Sequence, residues 1–349
     1  MRAATAINPF HVVAPCGHSV PFDASLLDAV ATRCPTCGTA TSTRALAAAA
    51  SCALLHQLGR EHRSSSLDDL SPVEHSWLQN DRENLAKHGL QVCRGVVDIE
   101  IAEAVRCEAE TALQAALALP PDRAADVLTG VRDPEHRHDV RLELGDALRA
   151  LLRALLRAHA PPGIAIEEAF GERARLCECS CIIADPGAPA QSVHCDTAAD
   201  AELAPGAAAE APPDAPGANA AACCRLLTAF VALQDIDAAM GPTCMWPGTH
   251  TSAFHEAVQD DGPHAAFDGR PSAAMTLRCG DCALMDSRLW HCGSANTSAE
   301  RRFLLVVSFG ATGALPEGST YSLLPKLEGQ LSLRDLREGR TSRDARQVL

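Results

Sequence analysis

Apolar positions along this chain fall into two textures. In "DIEIAEAVRCEAETALQAALAL" they recur every three or four residues, which predicts an amphipathic helix. The stretch "LGDALRALLRALLRAHA" repeats that pattern until Pro161, Pro162 and Gly163 end it. Ahead of both, "GLQVCRGVV" reads as a strand, and Ser71 followed by Pro72 and Glu74 reads as a helix start. From Ala165 the texture changes to short apolar runs broken by Gly, Pro and Asp: "RLCECSCIIADPGA", "RLLTAFVALQDID", "SAAMTLRCGDCALMD" and "RRFLLVVSFG". Evenly spaced strands with turn signals predict an antiparallel sandwich or barrel. One stretch interrupts them, "TAADAELAPGAAAEAPPDAPGANAAA", which is low in complexity and is expected to be a mobile insertion. No internal repeat is visible.

Composition narrows this picture. The 349 residues leave room for one large domain plus a small module. Apolar residues make up 47% but aromatics only 3%, so the core must rest on Leu, Val, Ile and Ala. A net charge of -14 argues against a nucleic-acid surface, which needs clustered Lys and Arg. No apolar run approaches the roughly 20 residues of a membrane span. The start lacks a sustained apolar stretch, so no secretory signal is expected and a cytoplasmic location is; a short organellar transit peptide stays open. With no such signal, the 16 cysteines read better as thiols than as disulfides, and those of "CECSC" as small core residues.

Before the main domain, Cys16-x-His18 is followed at a distance by Cys34-x-x-Cys37. Three thiolates and an imidazole make a closed tetrahedral site for structural Zn(II). Between the halves, "FDASLLDAVATR" has Leu26, Leu27 and Val30 spaced for one helical face. The segment resembles the second half of a RING or U-box module, with its Cys-Gly-His turn, short helix and Cys-Pro-x-Cys knuckle. The first-site cysteines of that module are absent. A structural zinc knuckle is therefore preferred to ligase activity, with a protein partner left open.

The strands carry the candidate chemistry. In "QSVHCDTAAD", His194 and Asp196 alternate along an extended chain and so face one side. Two ligands hold a divalent metal poorly, and the best third is His291 in "DSRLWHCGSANTS". Two imidazoles and a carboxylate on one face match the triad of non-haem Fe(II) oxygenases, which leaves positions for a bidentate 2-oxo acid and O2. The distal carboxylate of such an acid needs a fixed cation, and an Arg fork suits it. "AERRFLLVVSFG" offers Arg301 and Arg302.

These pieces together make the chain, from about Leu67 to Gly310, resemble the phytanoyl-CoA dioxygenase family of Fe(II)/2-oxoglutarate oxygenases. The resemblance spans His-x-Asp, "LTAFVALQDIDAAMGPTCMWPGTH" with its Gly-Pro…Pro-Gly-Thr-His loop, the Gly-Asp turn and "DSRLWHCGSANTS", and an Arg before a strand. It implies a mainly β fold with flanking helices: a double-stranded β-helix, or jelly roll, of cupin-like type. It implies Fe(II) on His194, Asp196 and His291, and 2-oxoglutarate on Arg302, with Arg301 pointing outward by alternation. Gln191 is a candidate contact to co-substrate or substrate. Because Asp196 is kept, hydroxylation of a small-molecule or lipid-like substrate, with release of succinate and CO2, is expected rather than halogenation. The alternative is a catalytically silent binding protein or adaptor acting through its zinc module. The expected domains are a zinc module over 1–45, a helix and linker over 46–66, the dioxygenase domain over 67–312 with its insertion at 198–222, and a tail over 313–349.

Other residues receive plainer roles. Trp246 and Trp290 are expected to pack and His250 to orient a loop. His136, His138, His255 and His264 are expected at the surface, and Asp286 behind the metal ligands. Cys195 and Cys292 are expected to point away from the metal.

Overall fold

The computed structural model describes residues 82–197, 226–311 and 322–340, together with five short strands before residue 67. Of those five, β1 (Phe10–Val13) pairs antiparallel with β2 (Ser19–Phe22), and β3 (Ala31–Arg33) with β4 (Ala40–Ser42). Cys16, His18, Cys34 and Cys37 lie outside the described residues, as do the insertion at 198–222 and the helix start at Ser71. The helix expected through Arg33 does not extend that far, because Ala31–Arg33 is strand. Within the expected Ser-rich linker, β5 (Ser65–Ser66) is also strand, pairing in parallel with a later strand through backbone groups that need no apolar side chain.

A seven-stranded sheet is the centre of the molecule. Its strands run in the order β6 (Leu90–Cys93), β13 (Cys282–Asp286), β10 (Leu227–Ala232), β15 (Arg302–Gly310), β9 (Arg175–Ala184), β8 (Arg137–Arg141) and β7 (Leu128–Thr129). Every neighbouring pair is antiparallel. A four-stranded sheet, ordered β14 (His291–Gly293), β11 (Thr243–Met245), β12 (Ala273–Ala274) and β5, lies against one face.

Two cores fix this layering. On β15, Phe303, Leu305, Val307 and Phe309 face outward. They pack under α2 (Ile99–Leu117), α3 (Asp146–Leu155), α4 (Pro161–Phe170) and α7 (Leu333–Glu338), through Val105, Leu113, Leu148, Leu152, Ile166 and Leu336 among others. The alternate residues Leu304 and Val306 face inward and meet Phe230, Met285, Met245 and Met275 between the sheets. All of β15 is buried, which is why its sequence reads as a continuous apolar run rather than an alternation.

Three smaller helices complete the described elements used below. α1 (Arg82–His88) precedes β6, and α5 (Ser252–Asp260) and α6 (Pro263–Phe267) lie between β11 and β12. Pro161 and Pro162, expected to terminate a helix, instead begin one: the first turn has no use for their missing N–H groups. The mainly β expectation with flanking helices holds, and the layout agrees with a jelly roll. No helix among the described residues is long and apolar enough to cross a membrane.

Candidate metal centre

The end of the sandwich brings together two segments distant in sequence. His194 and His291 exchange backbone hydrogen bonds in both directions, 2.9 Å from His194 N to His291 O and 2.7 Å in return. Such an antiparallel pair sets the two side chains beside each other on one face. The rings lie 4.4 Å apart between centroids. Asp196 is fixed next along the chain, its N–H donating to Ser287 O at 2.9 Å. Alternation does the sorting: Val193 and Cys195 turn to an aromatic cluster containing Trp246, Phe254, Phe267 and Trp290, while His194 and Asp196 turn the other way.

The three side chains converge as a ligand set. Asp196 Oδ1 lies 3.9 Å from His194 Nε2 and 3.7 Å from His291 Nε2. Among the described residues this is the group of metal-binding side chains that meets closely enough for one ion, with ligand atoms within 4.8 Å of one another. The Nδ1 atoms are engaged by backbone carbonyls, Ser192 O at 2.7 Å and Leu289 O at 3.0 Å. A carbonyl only accepts, so each Nδ1 carries the ring proton and each Nε2 offers a lone pair. Burial, reinforced by His291 and Arg132, holds the His194 pKa well below the usual 6.5. That ring is neutral at neutral pH, as a metal ligand must be. The donor chemistry fits a divalent iron: two imidazole nitrogens and one carboxylate oxygen on one side.

A cavity of about 260 Å³ opens from the ligands into the space between the sheets, and Arg302 lines it. Arg302 is 2% exposed. Its Nη1 donates to Gly241 O, and its Nε has no hydrogen-bond partner among the described residues. Burial, together with the nearby charge of Arg137, lowers its pKa to about 10, so it stays charged, and no carboxylate among the described residues forms an ion pair with it. A buried guanidinium in that condition fits an incoming carboxylate. Its neighbour Arg301 points outward and is already engaged, with Glu110 at 2.6 Å and Asp185 at 2.5 Å.

Gly241 supplies the carbonyl under Arg302 at φ +71°, where an added Cβ would stand 2.5 Å from Ser294 O. The turn at Gly280 and Asp281 closes against the end of β6, with Asp281 accepting from Arg94 at 2.7 Å and from the Gly95 N–H at 2.8 Å.

The remaining candidates divide. Gln191 lines the cavity, but both ends of its amide are held by backbone: Nε2 donates to Arg132 O and Oε1 accepts from Gly293 N–H, each at 2.8 Å. Trp246 and Trp290 pack edge-on against Phe267, and His250 Nε2 reaches Ala86 O, tying its loop to α1. Asp286 grips Arg288 with both oxygens at 2.8 Å. His255 is buried rather than at the surface, its Nε2 on Arg288 O at 2.9 Å under α5. Cys292 faces the aromatic cluster beside Cys244. The cysteines of the described residues are free thiols.

Two cavity residues escape the sequence reading: Glu178 on β9 and Asp139 on β8. The signal available for Glu178 was an acid inside a strand that otherwise reads as buried, "RLCECSCIIA". Asp139 lies in a segment too polar to read as a strand, "RHDVR".

Residues 85–304 match the phytanoyl-CoA dioxygenase (PhyH) family. No curated protein matches the chain. Among solved structures, the non-heme alpha-ketoglutarate-dependent carbocyclase SnoK of nogalamycin biosynthesis is 18% identical, covering 76% of this chain and 92% of its own with a TM-score of 0.48. The epimerase SnoN, in complex with Fe3+, alpha-ketoglutarate and nogalamycin RO, is 18% identical over 75% and 93% with a TM-score of 0.49. HygX from Streptomyces hygroscopicus, with nickel and 2-oxoglutarate bound, is 17% identical over 70% and 95% with a TM-score of 0.46. The sequence match alone covers more than half of the residues, and by it the chain belongs to the phytanoyl-CoA dioxygenase family.

Proposed function

We propose that this protein is an Fe(II)- and 2-oxoglutarate-dependent dioxygenase that hydroxylates a small molecule, with release of succinate and CO2. The observation that carries this reading is the pairing, in one cavity, of a two-histidine, one-carboxylate cluster with a buried arginine that has no ion-pair partner among the described residues. His194, Asp196 and His291 would hold the iron. Iron in such a site, with 2-oxoglutarate and O2, supplies oxidative decarboxylation coupled to oxidation of a C–H bond.

The chain's own residues do the rest. Arg302 binds the distal carboxylate of 2-oxoglutarate, and Gly241 O fixes the angle of its guanidinium. Ser192 O and Leu289 O keep the imidazole protons on Nδ1, so that both Nε2 atoms face inward. Gln191 shapes the cavity wall by joining Arg132 to Gly293. The inner walls formed by Phe230, Leu304 and Val306 limit water around the bound reactants.

Succinate formation tests the reading. Protein purified without oxygen and supplied with Fe(II), 2-oxoglutarate and O2 should release succinate slowly even without a substrate. Arg302→Ala and Asp196→Ala should each abolish that release. Absence of succinate in the unaltered protein, together with no 2-oxoglutarate binding, would overturn the assignment.

We assign a separate structural zinc to Cys16, His18, Cys34 and Cys37, supported by their donor set and spacing. Metal analysis of Cys34→Ser should show loss of zinc with iron binding retained.

A further inference from the structure

The cavity is lined by both a cation and acids, all carried by neighbouring strands of the seven-stranded sheet. Arg302 lies on β15, and no acid among the described residues forms an ion pair with it. Next to β15, β9 and β8 run side by side, with Asp139 opposite Ile182, and Glu178 opposite Ser308 of β15. Ile182 packs with the inner core, so the alternate residue Ser180 and Glu178 beyond it face inward as well. Both Asp139 and Glu178 line the cavity that contains His194, Asp196 and His291.

Asp139 is buried with its hydrogen bonding incomplete, and Glu178 beside it is half-buried. Asp139 is 5% exposed; its Oδ2 accepts from the Ser322 hydroxyl at 3.1 Å, and its Oδ1 has no partner among the described residues. Glu178 accepts from the Ser308 hydroxyl, which is itself 2.9 Å from Thr228 Oγ1. Neither acid forms an ion pair with a described Arg, Lys or His, unlike Asp185, Glu110 and Glu167, which each do. Buried carboxylates in proteins are ordinarily paired or fully hydrogen-bonded, and leaving one short of partners is unfavourable.

We propose that Asp139 and Glu178 bind the positively charged nitrogen of the substrate, so that this enzyme acts on an amine in its ammonium form; this rests on the oxygenase reading above. An ammonium group donates in several directions, which matches a carboxylate oxygen without a donor and a second carboxylate on the neighbouring strand. The anionic co-substrate goes to Arg302 on β15, and the cation to the acids on β8 and β9, so the two reactants use side chains of opposite charge. Burial pushes Asp139 up to about 6, and burial with the charges of Asp196 and Asp139 pushes Glu178 up to about 8; a bound cation would draw both back down.

Titration calorimetry on the full-length protein, held without oxygen with Fe(II) and 2-oxoglutarate, tests the idea. The probes are n-butylammonium, n-butanol and butyrate, which share a chain and differ in charge. Butylammonium should bind roughly tenfold tighter than butanol, with butyrate weakest. The double variant Asp139→Asn with Glu178→Gln should bring butylammonium and butanol together. Equal binding of the two probes in the unaltered protein, no binding of butylammonium, or a preference that survives the double variant would each overturn the proposal. If the variant fails to fold, the three-probe ranking in the unaltered protein still decides. Binding of 2-oxoglutarate, read in the same cell, separates the two readings. Its absence with an intact ammonium preference refutes the oxygenase assignment alone, and the reverse pattern refutes the substrate class alone.

Discussion

Arg301 and Arg302 are adjacent and chemically identical, yet the fold gives them different tasks. Arg302→Ala should weaken 2-oxoglutarate binding by roughly a hundredfold, since it removes one partner of a buried charge pair. Arg302→Lys should recover only part of it, because a point charge replaces a planar fork. Arg301→Ala should leave that affinity unchanged and lower stability by about 1 kcal/mol or less, as its ion pairs to Glu110 and Asp185 are partly exposed. Calorimetry and urea denaturation on the three variants check both statements. The cavity acids make a pH prediction. Asp139 moves from 3.8 to about 6 and Glu178 from 4.5 to about 8 on folding. Between those limits the folded chain keeps protons that the unfolded chain gives up. Stability of the protein without added metal or co-substrate should therefore fall as pH rises through the window and level off above it. Replacing both acids by their amides should flatten that slope and raise stability at the alkaline end by roughly 1–3 kcal/mol.

At the scale of elements, what could be read from sequence followed from how strictly each segment alternates. β15 offered a clean test, because Arg302, Leu304 and Val306 fall on one parity and Arg301, Phe303 and Leu305 on the other. His194 and Asp196 were legible for the same reason, and His291 because its motif lies after a Gly-Asp turn. β9 was harder. The register shifts between Ser308 and Phe309, so Cys177 leaves the face shared by Cys179 and Cys181 and packs on Leu226. A pattern of alternate residues breaks at such a bulge, and Glu178 was hidden there. α5 and α6 are short, and their sequence "SAFHEAVQDDGPHAAF" gives few apolar repeats, so His255 was expected outside. No alternation reports a backbone carbonyl such as Gly241 O. Gly241→Ala combines positive φ with a clash against Ser294 O, and should lower stability by about 1–3 kcal/mol. It should also weaken 2-oxoglutarate binding by displacing the acceptor under Arg302, which calorimetry can read beside a thermal melt.

For the molecule as a whole, the seven-stranded sheet is a partition. Helices cover one face and the chemistry occupies the other, so stability and function can be changed separately. Phe309→Ala, on the helix side and fully buried, should cost about 3–5 kcal/mol in urea denaturation while leaving iron and 2-oxoglutarate affinity unchanged in the fraction that remains folded. The bridge between His194 and His291 carries a further consequence. It joins points about a hundred residues apart, a contour whose ends meet by chance only at an entropic cost that grows slowly with length. The backbone bridge closes that long loop by itself, through its two hydrogen bonds. An ion held by His194, Asp196 and His291 would be a second clasp on the same strap, and the two segments would then part only with its release.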